Sequence, residues 1–138
     1  MSDGETVIPA IEVNERVARF ILKQSHLRQD RTVKQDAFIP HPHTDLSVTR
    51  HLQLSETQLW QIGHDVARQT RKKLHGRADL QVSVFQRHEL RVVAAPLSDN
   101  RNHANVTGWP ADKPAQKIIA QQVAAAAGKA LEPPQSPV

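Results

Sequence analysis

The 138-residue chain predicts an α+β fold: one domain with an antiparallel or mixed sheet of about five strands and two main helices packed to one side. Three observations predict it. Residues 55–75 and 112–131 carry apolar side chains at helical spacing behind capping residues. Several short segments alternate apolar and polar residues in the manner of strands. No composition break divides residues 12–131, which leaves 1–11 as an N-terminal extension and the Pro-rich 132–138 as a tail.

Taken in order, Arg16 to Lys23 carries Val17, Phe20, Ile21 and Leu22, and its periodicity fits a strand or a short helix. Ser25 to Lys34 is polar and reads as a loop. Ala37-Phe38-Ile39 reads as a short extended piece stopped by Pro40. Asp45 to Leu52 alternates, with Leu46, Val48 and Arg50 on one side and Ser47, Thr49 and His51 on the other. Ser55 and Gln58 form a capping box, and Leu59, Ile62, Gly63, Val66, Ala67, Thr70 and Leu74 continue a helical stripe to Gly76, the expected left-handed stop. Leu80, Val82 and Val84 alternate with polar residues. Four residues separate them from the segment 90–95, which is hairpin spacing. Ser98 to Asn102 is turn-rich, His103 to Thr107 is a last short strand, and Asp112 caps a final helix with Pro114 in its first turn. Ile118, Ile119, Val123, Ala126, Ala127 and Ala130 are its expected inner face.

Composition narrows the chemistry. There is no cysteine, so disulfides, thiolate nucleophiles and Cys-ligated metals are excluded. No apolar run is long enough to span a bilayer and no signal-peptide pattern opens the chain, so the expectation is a cytoplasmic protein without membrane contact. No Gly-rich phosphate loop, His-Glu-x-x-His, Gly-x-Ser-x-Gly or Rossmann fingerprint is present, and no cofactor is expected. The formal charge is +4 and the pI about 9.9, a balance that permits a polyanionic partner.

Four constellations are candidates for function. His41 and His43 share a side of a proline-stiffened segment. With His103 or Asp45 they would supply ligands for zinc or a similar metal; the plainer reading is a polar surface loop. Arg50 falls on an apolar strand face and needs a carboxylate, a carbonyl or an anionic ligand, the plainer reading being a structural Arg–Asp pair. Asp79, in Arg77-Ala78-Asp79, is a candidate internal partner and a bound phosphate an external one. Asn105 and His103 beside Trp109 offer hydrogen bonds and a stacking plate to a base, unless Trp109 simply anchors the last helix. Arg68, Arg71, Lys72 and His75, with Arg77 nearby, make a basic stripe on the first helix, suited to phosphates or merely to solvent.

Phe38-Ile39-Pro40, Leu46-Ser47-Val48-Thr49-Arg50, Gly76-Arg77-Ala78-Asp79 and His103-Ala104-Asn105-Val106-Thr107-Gly108-Trp109-Pro110 occur in an order that resembles a group of small bacterial proteins of unknown function. The resemblance covers most of residues 16–127. It implies a bacterial setting and a surface shared by those four segments, and carries over no catalytic residue.

The function these features favour is a small basic binding or accessory module for an anionic partner, nucleic acid before an acidic protein surface. The alternatives are a small enzyme using His43 or His103 with Arg50 and Asp79 on a phosphate-containing substrate, and a structural subunit of a larger assembly.

Overall fold

The computed structural model describes residues 8–40 and 44–134. Strands β1 (Arg16–Ile21) and β2 (Leu46–Arg50) precede helix α1 (Glu56–Gln69), followed by β3 (Gly76–Gln81), a short helix α2 (Val82–Gln86), β4 (Arg91–Ala94), β5 (His103–Thr107) and α3 (Lys113–Ala127). The five strands form one antiparallel sheet in the order β3-β1-β2-β5-β4. The expected single α+β domain is what the structure shows.

The register sorts every strand side chain onto one of two faces. Val17 and Ile21 of β1 share a face with Leu46, Val48, Ala78, Leu80, Ala104 and Val106. That face is covered by α2, α3 and a 3-10 turn at Gln35–Phe38, and Phe38, Phe85, Ala120 and Val123 close the main core over it. Phe20 points the other way and joins Trp60, Ala67 and Leu74 in a second, smaller cluster beneath α1. The two long helices therefore lie on opposite faces of the sheet and not on one side. Alanine at 120 and 124 brings α3 close to its face. The inner side of α3 is Gln116, Ala120, Val123 and Ala124, while Ile118, expected inside, is exposed.

Three local expectations fail for physical reasons. First, α1 ends at Gln69, not near residue 75. Arg71 takes φ 58° and the amides of Arg71 and Lys72 bond to the carbonyls of Arg68 and Ala67, a Schellman stop made without glycine. Gly76 instead begins β3, where a Cβ would come within 2.6 Å of the Leu131 carbonyl oxygen and 2.7 Å of an Arg31 guanidinium nitrogen. Second, residues 80–95 are no hairpin. Val82, Val84 and Phe85 are all buried by a helical turn, and β3 and β4 occupy opposite edges of the sheet. The hairpin is β4 with β5. Third, Ala37-Phe38 lies in the 3-10 turn and not in extended chain.

Beyond β3, the amide and carbonyl of Arg77 both bond to Leu131, and Lys129 bridges Thr32. Arg31 ties the same stretch down by donating to the His75 carbonyl at 2.9 Å. Among the described residues no helix is long and apolar enough to cross a membrane.

Candidate anion-binding clefts

The strand face that should be purely apolar carries two arginines, and they behave differently. Arg50, opposite Val17, is only 2% exposed. Its guanidinium donates to the Glu15 carboxylate at 2.9 Å and to the carbonyls of Pro9 and Ala10 at 2.9 and 3.2 Å. The expected partner Asp79 is elsewhere, on the other face, and Arg50 is sealed against an external phosphate.

Arg19 sits one residue beyond the last β1–β2 pair, Ala18 with Thr49. The strands part there, and the Arg19 side chain enters the gap. It donates to the Ala37 carbonyl at 2.8 Å and to the Ser47 carbonyl at 3.0 Å, replacing ladder bonds with side-chain ones. Burial pulls its guanidinium down to about 10.

Two clefts open on either side of this gap, and Arg19, Phe20 and Leu22 line both. The larger, about 510 Å³, gathers Arg19, Lys23, Lys72, Lys113 and Lys117 with His26 and a single acid, Asp36. Among the described residues none of these five cations has a carboxylate within ion-pair distance. Lys113 and Lys117 are neighbours on the first turns of α3. Burial, with Lys23 and Arg19 beside it, holds His26 below the usual histidine range against the opposing pull of Asp36.

The smaller cleft, about 220 Å³, lies between α1 and the β2–β5 face. Phe20, Ile62, Val66 and Leu97 give it apolar walls, and Ser47, Asp65, Asp99 and His103 give it polar ones. Gln69 of α1 donates to Asp99 at 2.8 Å, so the helix and the β4–β5 loop are tied together at the cleft. The His103 Nδ1 lies 2.8 Å from the Ala95 carbonyl. A carbonyl only accepts, so Nδ1 carries the proton and the neutral ring keeps a lone pair on Nε2.

A third polar cluster lies under the N-terminus of α1. Arg77, 1% exposed, donates to Asp79 at 2.9 Å and to Glu56 at 2.9 Å, and lies over the Trp60 ring. The His51 ring bonds the same Asp79 at 3.0 Å. Burial alone would raise the Asp79 carboxyl, but hydrogen bonds from His51 and Arg77 outweigh it and hold the carboxyl below its ordinary value. The Arg77 Nη1 is buried without a partner among the described residues. The cluster closes the interface between α1 and the sheet.

The sequence-predicted residues therefore scatter. Asp79 and Arg77 are spent on each other. Arg50 and His103 point to opposite faces, so they form no joint site. Trp109 packs on the main core and donates its indole N–H to the Val106 carbonyl at 3.0 Å. It packs half-buried on the core side of the sheet, across from Asn105, which shares a face with Ser47 and His103. Arg68 pairs with Asp65, and the early end of α1 breaks the basic stripe: Arg71, Lys72 and His75 lie beyond the helix, and only Lys72 reaches the basic cleft. His41 and His43 lie outside the described residues, and among the described residues no three His, Asp or Glu side chains are placed to hold a metal ion. Arg19, Lys23, His26, Lys113 and Lys117 went unnoticed in the sequence. Arg19 had a readable signal, a cation on the apolar side of a strand.

Comparison of the chain with protein-family models, curated proteins and solved structures finds no match, so the clefts are read from their own geometry.

Proposed function

We propose that the protein is a binding module for an anionic partner, seated in the cleft of Arg19, Lys23, Lys72, Lys113 and Lys117, with nucleic acid as the partner class. The single observation that carries this is the gathering of five cations, none ion-paired among the described residues, around one concave surface. Surface lysines ordinarily spread out or pair with acids. Five together repel one another, and phosphates relieve that repulsion while releasing their own counterions. The net charge of +4 adds a favourable long-range field. The absence of cysteine suits a reducing, cytoplasmic setting for such a partner.

An anisotropy titration against labelled single- and double-stranded DNA and RNA, at about 50 and 200 mM salt, tests the reading. Binding that weakens steeply with salt is expected. Absence of binding at the lower salt would end it.

A further inference from the structure

The basic cleft does not stand alone. Arg19, Phe20 and Leu22 form one wall of it and one wall of the smaller cleft. A ligand crossing that shared wall meets cations on one side and a different chemistry on the other. The smaller cleft has an aromatic ring and aliphatic side chains for the faces of a flat ring. Its polar groups offer both donors and acceptors: the carboxylates of Asp65 and Asp99 accept, the hydroxyls of Ser47 and Thr49 and the amides of Gln69 and Asn100 can do either, and His103 Nε2 accepts when the ring is neutral. Its volume of about 220 Å³ falls below the range of about 300–1,000 Å³ that takes whole drug-sized ligands. It suits one ring system whose attached charged group lies outside.

A nucleotide unit has this division. Its phosphate is anionic and its base is a flat ring whose amino and imino groups donate hydrogen bonds. We infer that the smaller cleft receives an unpaired base of a single-stranded nucleic acid whose phosphates lie in the basic cleft. This rests on the proposed function and deepens it. Three features point to a strand in place of a free nucleotide. Five cations exceed the need of one phosphate group. The chain has only five glycines and no phosphate-cradling loop. The two clefts adjoin at one wall of Arg19, Phe20 and Leu22, so a phosphate in one and a base in the other can belong to one backbone. Single strands rather than duplexes are implied because a paired, stacked base cannot enter a cleft beside a helix.

The probes are a labelled single-stranded 12-mer, a 12-mer of the same charge with abasic sites, a duplex of the same sequence, and a nucleoside monophosphate as competitor. The base-bearing single strand is expected to bind roughly tenfold or more tighter than the abasic strand, the scale of one or two stacked bases. It is expected to bind tighter than the duplex, and the monophosphate should compete only at far higher concentration. In the variants Leu97→Ala and His103→Ala the preference for the base-bearing strand should shrink while the abasic strand binds as before. Leu97 is 48% exposed, so its truncation leaves the core intact. Equal binding of base-bearing and abasic strands would overturn the inference and leave the anion reading standing. Binding of neither would overturn both. A duplex bound as tightly as the single strand, or a monophosphate competing at the strand's own concentration, would overturn the assignment to single strands.

Discussion

The guanidinium carbon of Arg77 lies 4.7 Å from the centre of the Trp60 ring, which fixes α1 to the sheet through a buried charge as well as through apolar contact. Arg77 comes from β3 and Trp60 from the first turns of α1. The same guanidinium is ion-paired with Asp79, which is 7% exposed, and removing one member of such a buried pair costs more than the pair adds.

Arg77→Met is accordingly expected to lower the unfolding free energy by about 3 kcal/mol, because Asp79 then sits buried with only His51 beside it. A urea titration measures this. Adding Asp79→Leu to Arg77→Met should recover part of the loss, and a double variant less stable than the sum of the two singles would contradict the pairing.

The acid limb of stability follows from the same cluster. The Asp79 carboxyl is held below its ordinary value by His51 and Arg77, and the Glu56 carboxyl by its hydrogen bond from Arg77. A carboxyl depressed in the folded state adds stability above its unfolded pKa, and that stability is lost as the pH falls through the folded value. The window opens below about pH 4. Denaturation midpoints taken from pH 6 down to pH 2 should fall steeply there for the wild type and less steeply for Asp79→Asn.

Gly63 of α1 faces the Phe20 ring of β1. A Cβ there would meet two atoms of the Phe20 ring at 2.7 and 2.8 Å and Leu74 at 3.2 Å. The ordinary gain from Gly→Ala in a helix is ~1 kcal/mol, and overpacking of this kind costs about 1–3 kcal/mol. Gly63→Ala should therefore be neutral to destabilising in thermal unfolding, against the helix-propensity trend. Since Phe20 walls both clefts, the variant should also weaken single-strand binding.

Lys113 and Lys117 are exposed and make no ion pair among the described residues, so their truncation spares the fold. The variant Lys113→Ala/Lys117→Ala should reduce the slope of log K against log salt by about 1.4 for a single strand, if each lysine neutralises one phosphate. An unchanged slope would place the bound backbone elsewhere.

His26 gives the binding a pH dependence. Its pKa is depressed by burial and by Lys23, Arg19 and Lys72, with Asp36 opposing. A bound phosphate favours the protonated ring and pulls its depressed pKa back up, so affinity should rise as the pH falls below the ordinary histidine range. The increment should be absent in His26→Gln, titrated at constant ionic strength.

Much of the fold was legible because it rests on local rules. The capping box of Ser55 and Gln58 starts α1, Asp112 caps α3, and the alternation of Leu46 and Val48 sets β2. The errors arose where distant groups decide. Val82 and Val84 look like a strand, yet the amides of Val82 and Ser83 are taken by the carbonyls of Glu15 and Val13, far back in the chain, and the backbone then turns into a helix. Arg71 adopts a left-handed conformation that glycine advertises and arginine does not. The clefts were less legible still. An arginine on an apolar strand face needs acceptors: Glu15 supplies them to Arg50, while Arg19 finds only the carbonyls of Ala37 and Ser47. Its place between two clefts depends on β1 and β2 parting after Ala18, and on Lys113 and Lys117 arriving from the far end of the chain.

The stretch that carries Leu131 along the outer side of β3 bears on how molecules of this protein treat one another. A free strand edge is a template on which a second chain can continue the sheet, the first step toward aggregates. On this side the amide and carbonyl of Arg77 are taken by Leu131. Gly76 is what lets that stretch lie close enough, since any side chain there would strike the Leu131 carbonyl. The opposite edge belongs to β4, only four residues long. A glycine that looks like a helix stop is thus the contact by which the chain covers part of its own strand edge, at Arg77.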